Sequence, residues 1–273
     1  MLFIFKNMKI ENIVANWPIL FFQSLTERKK ENFTKILFKA NIYWWRAYNI
    51  YDDILDGDGD SSRLPIANTY FIKFITSYYN LNLSKKFYKI FNKIITTVEQ
   101  ANKKELLEQK LKFKNGKILI PKKLPKFSIL KTLSNKSMAL SLGSIAIMYH
   151  LDLGTKKINL CIEFFKNFLS AKQLSDDSHD WLEDLIKGKI TAANVHVLQE
   201  AKKHNIALDL KNKNSLFKIF LKINYINGKN VIKLCERANI YANKIGLQKN
   251  CKFLNNTVTI IENAAKKALN PET

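Results

Sequence analysis

Chain breakers are scarce in this sequence, with eight glycines and five prolines in 273 residues. So few turn-forming residues leave long uninterrupted runs, and runs of that length are helices rather than strands. From Leu25 to Leu55 apolar residues recur at helical spacing (Phe33, Ile36, Leu37, Ala40, Trp44, Ala47, Tyr48, Tyr51) and predict one long amphipathic helix. "GDGDSSRLP" stops it. Helical patterns resume in "IANTYFIKFITSYY" and "SKKFYKIFNKIITTVEQANKKELLEQKL", then over 128–150, 156–187, 191–204, 214–226, 229–246 and 251–268. The clearest interruption, "KFKNGKILIPKKLPKF" from Lys112 to Phe127, reads as a lysine-rich surface loop or short hairpin. With no repeat or low-complexity tract, residues 1–273 are expected to form one all-α domain, a bundle of about nine or ten helices.

An apolar content of 47%, including 18 Phe, 10 Tyr and 4 Trp, is ample for a core. The formal charge is +22, yet only Arg28, Arg46, Arg63 and Arg237 are arginines, so the excess is lysine scattered among Asn and Ile. An AT-rich coding sequence accounts for that vocabulary. The alternative is contact with anions: diphosphates, acidic lipid at a peripheral membrane surface, or nucleic acid, for which no sequence-specific mode is expected. Cys161, Cys235 and Cys251 are odd in number and lie in apolar surroundings, which predicts free buried thiols and a reducing, cytoplasmic setting. The hydrophobic start is interrupted by Lys6, Asn7, Lys9, Glu11, Asn12 and Pro18, too often for a bilayer span or a signal peptide.

Against that basic background, "NIYDDILDGDGD" packs five aspartates into nine positions, Asp52 to Asp60. An EF-hand calcium loop is excluded because its sixth and twelfth places hold Ser61 and Ala67. Asp52 and Asp56 instead share a helix face, with Asp53 one step round. Like charges so spaced repel by about a few tenths of a kcal/mol, at the helix end that already carries the negative pole. A hard divalent cation with oxygen ligands, Mg²⁺ above all, would compensate them. A second cluster, "AKQLSDDSHDWLEDLIKGKIT", carries Asp176, Asp177, Asp180, Glu183 and Asp184. Asp176, Asp180 and Asp184 repeat at every fourth residue, again one face. For either cluster alone, capping and solvated helix ends explain the acids; the pair, with matching spacing, points to metal and diphosphate.

"DDILD", followed 124 residues later by "QLSDDSHDWLED", resembles the two aspartate-rich motifs of the class I isoprenoid synthase superfamily, most closely the trans-prenyl diphosphate synthases. "KSMAL" at Lys136–Leu140 is similar to that family's K-[ST]-x-x-L segment, and "GKIT" at Gly188–Thr191 to its basic segment after the second motif. The pattern also resembles squalene and phytoene synthases through Gln173, Leu174, Asp180, Glu183, Asp184, Gly188, Lys189 and Ile190, with Asp176 in place of Asn. A single Arg63 follows the first motif, where the elongating enzymes usually carry an Arg-Arg pair.

The resemblance implies a helical bundle, orthogonal or antiparallel, around a central cavity, and often a homodimer. It implies that Asp52, Asp56, Asp176, Asp180 and Asp184 hold Mg²⁺, in that family three ions, with Mn²⁺ as a substitute, and that Asp53 and Asp177 complete the catalytic set. Arg63, Lys136, Gln173, Lys187 and Lys189 would contact a prenyl diphosphate. The implied activity is prenyl transfer to another isoprenoid; head-to-head condensation and terpene cyclisation are rivals. A basic helical protein binding nucleic acid or membrane is the non-enzymatic one. Tyr43, Trp44, Trp45, Tyr48 and Tyr51 would line the cavity, with Tyr48 and Trp44 shortening the product, or else simply form core. His179 is expected to be exposed.

Overall fold

The computed structural model describes residues 10–26, 32–127, 130–206, 208, 213–247, 258–259, 261–263 and 266. Among these the fold is all-α: α1 (Ile10–Leu25), α2 (Asn32–Asp56), α3 (Leu64–Tyr79), α4 (Lys85–Glu108), α5 (Leu142–His150), α6 (Gly154–His179), α7 (Trp181–Ile186), α8 (Val195–Lys203) and α9 (Lys213–Ile245). The one sheet among them is a hairpin, β1 (Lys112–Lys114) against β2 (Lys117–Leu119). No described helix is long and apolar enough to cross a membrane. Cys161 and Cys235 are free and buried, and burial pushes both thiols up; Cys251 and most of the helix expected over 251–268 lie outside the described residues.

Two compact units emerge, each assembled from three segments. The first comprises Met1–Thr96, Met138–Glu163 and Tyr241–Asn255. Here α2 packs on α1 and α3, and α1 on α5. Asn41, buried on α2, donates to the Val14 carbonyl of α1 (2.9 Å), and Phe33 stacks on His150 at 4.0 Å. Gly143 has a steric reason to be glycine: a Cβ there would come within 2.7 Å of the Pro18 ring on α1. Phe74, Tyr78, Phe87 and Phe91 fill the centre. The Tyr88 hydroxyl donates to the Tyr78 carbonyl (3.0 Å) and accepts from the Leu83 N–H (3.2 Å), closing the α3–α4 turn.

The second unit comprises Thr97–Ser137, Phe164–Ile240 and Asn256–Thr273. The expected hairpin is present: Asn115 and Gly116 both have positive φ (53° and 75°), as a two-residue primed turn requires. Its Ile118 enters a core with Leu111, Trp181, Leu185, Ile190, Leu198 and Phe220. The chain just before β1 pairs with the chain just after α7: Leu111 N–H donates to Gly188 (2.7 Å) and Ile190 N–H to Gln109 (2.8 Å).

Three boundaries differ from the sequence pattern. The run over 128–150 divides into a 3₁₀ segment, Leu130–Ser141, and α5. In that segment Ser134 and Ser141 hydroxyls donate to carbonyls three residues back (2.8 and 2.7 Å), and the Ser134 N–H donates to the Ser170 hydroxyl, so side chains compete with the α-helical ladder. The run over 156–187 bends at Asp180. The two runs over 214–226 and 229–246 are one helix, α9, continuous through Gly228.

Candidate active site

The first acid-rich stretch belongs to the first unit and ends α2. Gly57 adopts φ +80°; its N–H donates to Ile54 (3.1 Å) and the Asp58 N–H to Asp53 (2.9 Å), a left-handed turn that satisfies the last carbonyls. Gly59 returns against the same helix end. Its N–H donates to Asp53 (2.8 Å), and a Cβ on it would lie 2.9 Å from Asp53 and Ile54 backbone atoms. Asp52 and Asp56 are half-buried and Asp53 is exposed. Asp60 does local work: it caps the short 3₁₀ segment Ser61–Arg63, accepting from the Ser62 hydroxyl and from its N–H (2.8 Å). Those hydrogen bonds hold its carboxyl below the usual range. Arg63 is exposed at the end of that segment.

The aromatic residues leading into this motif contribute to the α2–α3 seam. Trp44 is buried against Phe71 and Phe74 (6.2 and 5.1 Å between ring centres). Tyr48 is half-buried beside Trp44 and Trp45, and the Tyr51 hydroxyl donates to Asn68 on α3 (2.7 Å). Tyr43 stacks on Tyr70. For Trp44 and Tyr51 these contacts match the core reading of the motif's aromatics.

The second stretch belongs to the second unit. Although α6 stops at His179, the main-chain ladder continues: Asp180 N–H donates to Asp176 and Asp184 N–H to Asp180, both at 2.9 Å. The three aspartates therefore keep their fourfold spacing through the bend, while Trp181 enters the core and stacks on Phe220 at 4.1 Å. The exit of α7 repeats that of α2. Gly188 has φ +77°, its N–H donates to Leu185 (3.1 Å), and Lys189 N–H donates to Asp184 (2.7 Å).

Asp177 is the buried member of the set, 8% exposed, and accepts from the Gln173 amide at 2.7 Å. Burial pushes its carboxyl up to about 7; the Gln173 hydrogen bond opposes this, Asp184 and Asp176 add to it, and Lys136 opposes it. The motif residues Gln173, Asp176, Asp177 and Asp184 thus share one electrostatic environment with Lys136. Asp176 is ion-paired to Lys172 at 2.6 Å, and Lys187 to Glu183 at 3.1 Å. Asp180 and His179 are exposed, and Lys189 is half-buried.

Three contributors were not anticipated from the sequence. Glu105 on α4 pairs with Lys136 at 2.7 Å. Lys172 holds Asp176. Buried Asn194 accepts from the Thr191 N–H (2.9 Å) and donates to the Lys189 carbonyl (3.0 Å), fixing the "GKIT" segment. A serine or threonine three residues before a buried Asn is a usable signal; the Glu105–Lys136 pairing leaves none.

Asp176 and Asp184 lie about 12 Å apart along a helix, too far to close on one ion unaided. Among the described residues no three Asp, Glu, His or Cys side chains group closely enough to hold a metal. The donors nonetheless fit Mg²⁺ in kind, being carboxylate oxygens only, and Mg²⁺ commonly takes one or two carboxylates and completes its shell from water and phosphate. Raised Asp177 marks negative charge that Lys136 does not fully offset, the condition a bound cation relieves. No family model matches the chain, and no curated protein matches it at a significant level of similarity.

Proposed function

We propose that the protein ionises an allylic prenyl diphosphate with the help of Mg²⁺ and transfers the prenyl group to another isoprenoid. The observation that carries this reading is the second motif: aspartates kept at fourfold spacing through a bend, around a buried carboxyl whose proton affinity is raised. Asp52, Asp56, Asp176, Asp180 and Asp184 would hold Mg²⁺, which when bound draws charge off the diphosphate leaving group. Lys136, Lys187, Lys189 and Arg63 supply positive charge to the diphosphate oxygens. Gln173 orients Asp177 through its hydrogen bond. The allylic C–O bond breaks with its electron pair leaving on the diphosphate. The double bond of the second isoprenoid then donates its electrons to the cation, and a proton is lost.

A head-to-head condensation of two prenyl diphosphates is the second reading. It is favoured by the Gly188-Lys189-Ile190 turn, where φ +77° calls for glycine. Incubation with Mg²⁺ and geranyl, farnesyl or geranylgeranyl diphosphate, with and without isopentenyl diphosphate, separates the two. Longer diphosphates formed only with isopentenyl diphosphate support elongation, and a hydrocarbon formed without it supports condensation or cyclisation. Absence of turnover in every combination overturns the enzymatic reading.

A further inference from the structure

Seven lysines fall between Lys110 and Lys126, and no Asp or Glu occurs from Gln109 to Leu151. The hairpin sorts this charge. Ile118 faces the core, 6% exposed, whereas Lys112, Lys114, Lys117 and Leu119 are all exposed, with Lys112 opposite Leu119 and Lys114 opposite Lys117. Like charges set opposite one another destabilise a strand pair, so an anionic partner would stabilise this face.

Large apolar side chains interrupt the same surface. Leu107 is 72% exposed, Phe113 41%, Leu119 45%, Ile186 44% and Ile206 41%. Backbone pairing brings them together: Leu107 immediately precedes the strand that bonds to Gly188–Ile190, two residues beyond Ile186, and Ile118 N–H donates to Leu208 (3.0 Å), two residues beyond Ile206. The Phe113 ring lies over Gly188, where a Cβ would approach it to 3.1 Å. Apolar tips ringed by lysine are the composition of an interfacial surface: aliphatic groups enter the acyl boundary while ammonium groups stay among the lipid phosphates.

We propose that this hairpin face docks the protein peripherally on an anionic lipid bilayer. Lipid suits it better than nucleic acid because the stretch has no arginine to read base edges and one exposed aromatic ring on which a base could stack, whereas its other exposed apolar groups are aliphatic. The inference stands independently of the catalytic reading, since none of these side chains belongs to the acidic motifs.

Co-sedimentation of the full chain tests it, with vesicles of phosphatidylcholine alone or with about one third phosphatidylserine. Binding is expected to the anionic vesicles only and to fall with salt. Removing the three outward lysines together (Lys112→Gln, Lys114→Gln, Lys117→Gln) should weaken it by roughly 100-fold, about fivefold per lysine. Leu119→Ser, which leaves charge unchanged, should weaken it by about fivefold. All four positions are exposed, and circular dichroism checks that the fold is retained. Equal binding to neutral vesicles, unchanged binding by either variant, or a single-stranded oligonucleotide that occupies this face in preference to the vesicles would overturn the proposal. Pyrophosphate binding measured on the same variants reports separately on the acidic motifs.

Discussion

Both acid-rich helix ends finish in the same hydrogen-bonded turn, yet they hold their carboxylates differently. At the end of α2, Asp53 accepts from Asp58 across Gly57; at the end of α7, Asp184 accepts from Lys189 across Gly188. After the first turn the chain continues through exposed Asp58 and Asp60, where Ser62 keeps the Asp60 carboxyl readily ionised. After the second it runs into the core beside β1, and Asp177, one turn upstream of the bend, is buried and pushed up to about 7. Identical backbone chemistry therefore serves one solvated and one desolvated cluster. What differs is packing: a hairpin and α8 cover the second, and nothing comparable follows the first in sequence until α3.

Removing single carboxylates is the severest way to break the comparison. Asp52→Ala and Asp180→Ala should each lower prenyl-transfer kcat/KM by roughly 100-fold or more while leaving the thermal midpoint nearly unchanged, because Asp180 is exposed and Asp52 half-buried. If only one of the two mattered, the motifs would not act as a pair. Glycine replacements sharpen the difference in packing. Gly59→Ala should destabilise by about 2 kcal/mol, since its Cβ meets backbone rather than a movable side chain. Gly188→Ala combines a left-handed backbone with the Phe113 contact and should cost more than Gly57→Ala, which meets open space and should cost about 1 kcal/mol. Urea denaturation ranks the three.

The pH response separates the clusters further. The Asp177 carboxyl is raised in the folded state to about 7, above an unfolded value of about 3.9, so the unfolded chain releases its proton first. In metal-free buffer the folded state is then penalised as pH rises from about 4 to about 7, by at most about 1.4 kcal/mol per pH unit, and the loss levels off above that window. Asp177→Asn should flatten this slope. Asp60 has the opposite sign: its contribution is present above the unfolded pKa and is lost as pH falls through the lower folded one. Its exposure makes it the smaller effect, read as a shallow acid-side loss in the wild type that Asp60→Asn removes.

The helical class, the exit of α2 and the hairpin were legible because each rests on local chemistry: periodicity, a Gly with positive φ, and an Asn-Gly turn. Asp176, Asp180 and Asp184 were legible as a face for the same reason. The bend at Asp180 was not, because Trp181 finds its partner Phe220 some 39 positions away in sequence. Nor was the continuity of α9. A helical glycine weakens a helix by about 1 kcal/mol, and here Gly228 is buried next to Asn227, whose amide donates to the Ala193 carbonyl at 3.4 Å. Glu105 escaped notice because 31 residues separate it from Lys136 and its own stretch reads as a solvated helix face.

The central claim, that carboxylates of both acid-rich turns hold Mg²⁺ against one diphosphate, is tested most directly by calorimetric titration of pyrophosphate into the wild type, Asp52→Ala and Asp180→Ala, with and without Mg²⁺. Binding by the wild type only in the presence of Mg²⁺, lost in both variants, is the predicted result. Binding that needs no Mg²⁺, or that survives intact in either variant, contradicts it.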